Sequence, residues 1–317
     1  MENSTEKKHV LVTGATGYVG RHLVDFLLQK KYEVYVLTRN KQSVFSGQNL
    51  VHTIIGDITD DFALPNGIQT IYHCAGVIYQ KDEMDKVNIQ GTKNIVALAI
   101  KNNCTLIYLS SAGITGKTNE TIITENTPCH PQNAYEISKY TAENSVLEAI
   151  KHNGLRAQIL RPTTIFGAGK NTKEDTFLKL IQTMRTDWYK QIGDGVYNII
   201  HVDEVVRALW LLDQDTVPNG AIYILNTPIH YKQLDSIVKS TTPTITQKTQ
   251  TIPYAVAYLG TLFLTIVCSI LHKKNPLTFS RLKALTNTQI YSADKIKKEL
   301  FFVPQKTVEQ YILDFLV

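Results

Sequence analysis

Short runs of apolar and β-branched residues recur through the first half of the chain, at 10–13, 34–37, 51–55, 70–74, 106–109 and 157–160. They are nearly continuous rather than alternating, the pattern of strands covered on both faces. Between several of them apolar residues return every three or four positions: Leu23, Leu27 and Leu28; Val96, Ala99 and Ile100; Ala142, Val146, Ala149 and Ile150. That is the spacing of a helix with one buried stripe. Strands alternating with helices predict an α/β chain built on a doubly wound parallel sheet.

From Gly167 onward the pattern loosens. It predicts helices at 176–184 and 203–212, a further strand at 222–225, a loop or linker in the Thr-rich stretch 240–251, and a turn at Val303-Pro304 before an amphipathic helix at 308–315. Residues 1–166 with about 197–226 are expected to form one domain, and 167–196 with about 227–317 a smaller, mostly helical substrate lobe. A chain of 317 residues is long enough to bury both.

Composition narrows the class. Hydrophobic content of 43% with 19% charged residues is that of an ordinary globular protein. Cys74, Cys104, Cys129 and Cys268 are far apart and form no metal-ligand spacing, which predicts a reducing compartment, no disulfide framework and no metal. The polar start runs directly into the first strand, so no signal peptide and a cytoplasmic location are expected. The net charge of +5 is concentrated between His272 and Lys306, where eight Lys/Arg face two acids. Such an excess attracts anionic lipid or phosphate, or is a solvated helix face. No basic stripe is interleaved with aromatics, which argues against nucleic acid as a partner.

Gly14-Ala15-Thr16-Gly17-Tyr18-Val19-Gly20 follows the first strand and opens a helix. Glycines at such a turn let the backbone approach a pyrophosphate, whose charge meets the helix N-terminus. The G-x-x-G-x-x-G spacing departs from the commoner G-x-G-x-x-G. The second strand ends in Thr38-Arg39, where an arginine accommodates the 2′-phosphate of NADP and an acid would hold the ribose hydroxyl of NAD. NADP is therefore the preferred cofactor, with NAD the alternative. Asp57, before Ile58, is placed to meet an adenine amino group. Cys74, Ala75 and Gly76, after His73, are small enough for the dinucleotide to pass close to the backbone.

Tyr135 and Lys139 are four residues apart and share a helix face. A phenol near pKa 10 is a poor base at neutral pH; a nearby ammonium and an oxidised nicotinamide ring lower it. Tyr135 then exchanges a proton with a substrate hydroxyl while hydride moves to or from nicotinamide. Ser111, ending the fifth strand, is placed to hydrogen-bond the same oxygen. Lys139 is also expected at the nicotinamide ribose.

With these residues in hand, the chain resembles an extended short-chain dehydrogenase/reductase of the NAD-dependent epimerase/dehydratase group. The resemblance spans nearly the whole chain: the glycine turn, Asp57, His73-x-Ala75-Gly76, Asn88 with Gly91-Thr92, Ser110-Ser111, Tyr135-x-x-x-Lys139, Arg161-Pro162 and His201-Val202-Asp203. It implies a Rossmann domain, a bound dinucleotide with Asn88, Pro162 and Thr164 among its contacts, a C-terminal substrate lobe, and a homodimer built on a helix bundle that includes the Tyr/Lys helix. Ile114-Thr115-Gly116 stands where the family often has Val-Tyr-Gly. Tyr197 stands where many nucleotide-sugar enzymes have a diphosphate-gripping arginine, and no clear Arg-x-Gly-Asp follows near the C-terminus. Arg281 or a lysine of the basic segment is the alternative grip.

Residues 249–271 carry no charge, and 254–271 are strongly apolar before His272-Lys273-Lys274. The length meets the minimum for a membrane span. Pro253, Gly260 and several Thr dilute it, and the resemblance puts residues 276–317 in the same lobe as those before 249. The leading reading is a buried or lid helix. The second is peripheral contact with the inner face of a membrane through 252–274, lysines at anionic headgroups, and the resemblance to sterol-type members supports it. The expected activity is that of an NAD(P)-dependent oxidoreductase or epimerase acting on a small molecule, first a sugar or nucleotide-sugar. The alternatives are a 3β-hydroxysteroid-like dehydrogenase of a lipophilic alcohol and, outside enzymes, a dinucleotide-binding sensor or scaffold.

Overall fold

The computed structural model describes residues 7–39, 45, 49–169, 175–186, 189–241, 250–271 and 278–316. Seven strands form one sheet: β1 (His9–Thr13), β2 (Glu33–Thr38), β3 (Val51–Ile55), β4 (Thr70–His73), β5 (Thr105–Leu109), β6 (Ala157–Pro162) and β7 (Ile222–Leu225). Their order is β7-β6-β5-β4-β1-β2-β3, and every neighbouring pair is parallel. These are the seven apolar runs read from the sequence, to within two residues at each end. From β1 the chain winds outward through β2 and β3, then returns to β4 on the other side. The carboxyl ends of β1 and β4 therefore border the crevice of a topological switch point.

Ten α-helices of seven residues or more accompany the sheet among the described residues: α1 (Tyr18–Gln29), α2 (Gly91–Lys101), α3 (Ala134–His152), α4 (Thr176–Met184), α5 (Val202–Leu212), α6 (Tyr231–Ser240), α7 (Tyr254–Ile270), α8 (Phe279–Leu285), α9 (Asp294–Leu300) and α10 (Val308–Leu316). Consecutive strand residues feed opposite faces. Val10 and Val12 join Leu23, Leu27 and Val205 of α1 and α5, whereas Leu11 joins Ile95 of α2 and Val146 of α3. Sheet and helices thus make a doubly wound Rossmann-type domain.

Of the remaining elements, α4, α6 and α10 gather around Phe166, Phe177, Ile181, Leu234 and Tyr311, whereas α9 packs through Ile296 on the same core as Val10 and Val12. Short pairings tie them down: Val196–Tyr197 with Ile229–His230, Lys190–Ile192 with Gln250–Ile252, and Ile122–Ile123 with Ile290–Tyr291. Two expectations change here. The stretch 240–251 is not loop throughout, because Gln250 and Thr251 take backbone hydrogen-bonding positions beside Lys190 and Gln191; residues 242–249 lie outside the described residues. Nor is α7 a buried helix. Only Ala257 and Thr261 are buried along it, since it meets the lobe on one narrow seam. Among the described residues no helix is long and apolar enough to cross a membrane.

Candidate active site

A cavity of about 720 Å³ opens at the carboxyl edge of β1, β4, β5 and β6. Its first wall is the glycine turn. Gly14 has φ +69°, and a Cβ there would lie 2.6 Å from the Ala75 nitrogen. A Cβ on Gly20 would run into the Gly14 carbonyl, and one on Gly17 would come within 3.1 Å of it. The turn therefore packs backbone on backbone. Gly17 starts α1 with no side chain capping it and no acid in the first turn. A cradle that only glycine permits, ending at an uncapped helix start, fits a dinucleotide pyrophosphate.

Gly14, Thr16, Gly17, Tyr18, Val19, Gly20, Cys74, Ala75, Gly76, Ser111, Tyr135, Lys139, Pro162 and Thr164 all line this cavity. Four other candidates do not. Arg39 is exposed beyond the ends of β2 and β3, its guanidinium 3.7 Å from the Asp57 carboxylate, and Asp57 also accepts the Thr59 N–H at 3.0 Å. Ile58 is buried under Gly91, where a Cβ would come 2.6 Å from its Cδ1. Asn88 is buried behind the wall. It accepts the Val77 N–H at 2.8 Å and donates to the Val77 carbonyl and the Ser138 hydroxyl, both at 2.9 Å. Asn88 thus holds the strand-following loop that the cavity uses.

His73 ties three elements together. The Thr92 hydroxyl donates to the Asn88 carbonyl at 2.6 Å, so it accepts from His73 Nε2 at 3.0 Å, and His73 Nδ1 accepts from Thr13 at 2.7 Å. Burial, with the Lys139 charge beside it, lowers the His73 pKa to about 3, which keeps the ring neutral.

The chemical groups come from β5 and α3. Asn133 caps α3 by accepting the Glu136 N–H at 3.0 Å, while the Glu136 carboxylate accepts from Gln132 N–H at 2.7 Å. This reciprocal capping places Tyr135 in the first turn and Lys139 one turn on. Arg161 of β6 grips Glu143 of α3 in a buried pair, two contacts from its Nε at 3.1–3.2 Å and one from Nη2 at 2.5 Å. The helix is thereby fixed to the sheet.

Lys139 is buried and donates to the Leu109 carbonyl at 2.7 Å. Desolvation lowers its pKa to about 8, with Glu143 and Cys74 opposing, so it is cationic at neutral pH and loses its charge as pH rises through that value. Tyr135 departs from expectation. Burial is the largest influence and raises its pKa, against a hydrogen bond with Ser111 that lowers it. The ammonium points at a backbone carbonyl instead of acting on the phenol, so the phenol is the protonated form in this state. Ser111 also accepts the Gly113 N–H at 3.1 Å.

Other lining groups were given no role of their own by the sequence. The Ser110 hydroxyl is buried on the cavity wall with no hydrogen-bond partner among the described residues, an orphan that a bound polar ligand would satisfy. Asn198, Thr163 and Tyr291 also line it. Asn226 links them, donating to Asn198 and to the Tyr291 carbonyl at 2.8 Å each and accepting from Thr163 at 3.0 Å. No local spacing marks them, because chain segments far apart meet there. Among the described lining residues, Lys139 is the only Lys or Arg. Tyr197 lies outside the cavity, stacked between Phe177 and Tyr231.

Sheet, glycine cradle and Ser/Tyr/Lys set together define an NAD(P)-dependent Rossmann enzyme. The model of the NAD dependent epimerase/dehydratase family matches residues 10–225, and the chain belongs to that family. It is 26% identical to the sterol-4-alpha-carboxylate 3-dehydrogenase, decarboxylating, of Candida albicans, over 99% of both chains. It is 25% identical to the UDP-glucose 4-epimerase of Corynebacterium glutamicum, over 63% of this chain and 69% of that one. The solved UDP-glucose 4-epimerase of Thermotoga maritima superposes with a TM-score of 0.73 at 20% identity, covering 97% of each chain, a likeness of fold.

Proposed function

We propose that the protein is an NAD(P)-dependent dehydrogenase or reductase of a lipophilic secondary alcohol or its ketone, sterol-like in character. One observation carries the choice: among the described lining residues no cation remains beyond Lys139, and Tyr197 is locked in an aromatic stack. With the glycine cradle given to the dinucleotide, a second, nucleoside diphosphate would find no cation beyond Lys139 among the described lining residues. The full-length match to a sterol dehydrogenase, set against partial matches to epimerases, supports the same reading. A nucleotide-sugar is the second reading, favoured by the fold shared with a UDP-glucose epimerase.

The glycine turn with Thr16, Tyr18 and Val19 would hold the pyrophosphate, Asp57 and Ile58 the adenine side, and Cys74, Ala75 and Gly76 the flank. Asn88 would steady that flank, and Pro162 and Thr164 the nicotinamide end. The dinucleotide, when bound, supplies or accepts the hydride. Tyr135 gives its proton to the ketone oxygen or takes it from the alcohol, and Ser111, bonded to the phenol, positions that oxygen. Lys139 is held at the Leu109 carbonyl in this state; it is placed for the nicotinamide ribose, and with the dinucleotide bound its charge would favour release of the phenol's proton. Arg39, exposed at the end of β2, favours NADP over NAD.

The division into residues 1–166 with about 197–226, and 167–196 with about 227–317, belongs to this proposal. So does a homodimer, supported by exposed Ile137 on α3 and Ile100 on α2. A cytoplasmic location is supported by four free thiols, and peripheral membrane contact by the exposed α7. The test is nicotinamide absorbance with a 3-hydroxysterol and with a UDP-hexose, each with both cofactors. Turnover of the sterol supports the reading; turnover of the UDP-hexose alone overturns it.

A further inference from the structure

Helix α7 is built inside out. Leu259, Phe263, Ile266 and Ile270 follow helical spacing along one face and are 54–70% exposed. The opposite seam, Ala257 and Thr261, is buried against Ile192 and Leu282 of the lobe. Small and polar groups therefore face the protein while large apolar ones face outward. Tyr254 and Tyr258 stand at the start of the helix, and Tyr258 meets Phe279 of α8 with ring centroids 5.4 Å apart. An outward patch of this kind marks an interaction surface.

Charge selects the occupant. Between Asp235 and Asp294 the chain has no acidic residue and six Lys/Arg, and α7 itself has no charge. Lys190 is exposed beside the strand that leads into α7, donating to Gln250 at 2.6 Å, and Lys283 is exposed on α8. Two copies meeting through this face would bring like charges together, whereas an anionic bilayer complements them. Because the inner seam stays on the lobe, α7 has one face to insert and lies along the interface instead of through it.

We propose that α7 docks the protein on the surface of an anionic lipid bilayer, its Leu259/Phe263/Ile266/Ile270 face among the acyl chains and the surrounding lysines at the headgroups. The proposal deepens the lipophilic-substrate reading and rests on it for its purpose, since docking puts the enzyme where such an alcohol dissolves. The same surface connects to the site through the chain, because α8 leads into the Ile290–Tyr291 strand, whose Tyr291 lines the cavity.

Flotation of the full chain with vesicles of phosphatidylcholine, with and without phosphatidylserine, tests it. The wild type is expected on the phosphatidylserine vesicles, released by high salt. The triple change Leu259→Ser, Phe263→Ser, Ile266→Ser should lower the bound fraction by about tenfold or more, with cofactor binding and melting temperature unchanged. Lys283→Glu should weaken binding to anionic vesicles only. Wild type that floats with neither vesicle, or a triple variant that floats as well as wild type, overturns the proposal. So does a wild-type dimer, seen by light scattering, that the triple change converts to monomer, which would show a second copy on this face. Vesicle binding without sterol turnover would refute the substrate reading alone, and sterol turnover without vesicle binding would refute the docking alone.

Discussion

The dinucleotide half and the substrate lobe handle burial in opposite ways. Around the sheet, the central strands are closed on both faces while the edge strand β3 is partly exposed, and buried charges are paired: Arg161 with Glu143, and Asp213 with Lys8, Thr70 and Tyr72 at 2.7–2.9 Å. In the lobe, pairings are two or three residues long, and α7 leaves its largest side chains outside. A site that must hold a proton donor and a hydride carrier in one geometry requires the first construction. A surface that selects where the enzyme works tolerates the second. Chemistry sits on the rigid half and its object is chosen by the other.

Substitutions can break that division. The largest effect is expected from Tyr135→Phe, which should cut turnover by about 10²–10⁴-fold with cofactor affinity intact, measured by steady-state kinetics and dinucleotide titration. Unchanged turnover would remove the proton-transfer role. Next, Glu143→Ala strands the Arg161 guanidinium in the interior, and urea unfolding should show a loss of about 3–5 kcal/mol; a loss below about 1 kcal/mol would mean the Tyr/Lys helix is not anchored there. The third is pH-dependent. His73 binds its proton at about 3 when folded and near 6.5 when unfolded, so the unfolded chain holds more protons between those values. Stability from this group is full above 6.5 and falls as pH drops, by up to about 1.4 kcal/mol per pH unit. Melting temperature against pH should show that acid slope, and His73→Asn should flatten it.

Smaller effects sharpen the contrast. Arg39→Ala should weaken NADPH by about tenfold and leave NADH unchanged, since an exposed arginine contributes a single charged contact; equal losses for both would refute the 2′-phosphate role. The α7 triple change should alter turnover of a water-soluble alcohol by less than about twofold, because surface substitutions distant from the site cost little. A larger change would show that the lobe's outer helix shapes the cavity as well.

All seven strands of the main sheet and the Tyr135/Lys139 helix were legible locally. Strand burial on two faces leaves an uninterrupted apolar run, and a glycine turn or an i,i+4 pair is written in neighbouring positions. The direction of the Tyr135 shift was not legible, because it depends on where the Lys139 ammonium points. Nor were Ser110, Thr163, Asn198 and Tyr291 as a single polar wall, since Tyr291 reaches the cavity through a strand pairing with Ile122–Ile123 and a hydrogen bond from Asn226. The apolar segment at 254–271 shows the limit most plainly. Its composition permitted a buried, lid or membrane-facing helix alike, for hydropathy records how apolar a stretch is and not what lies against it. Only packing of the Ala257/Thr261 seam on the lobe decided which face is covered and left Leu259, Phe263, Ile266 and Ile270 turned outward.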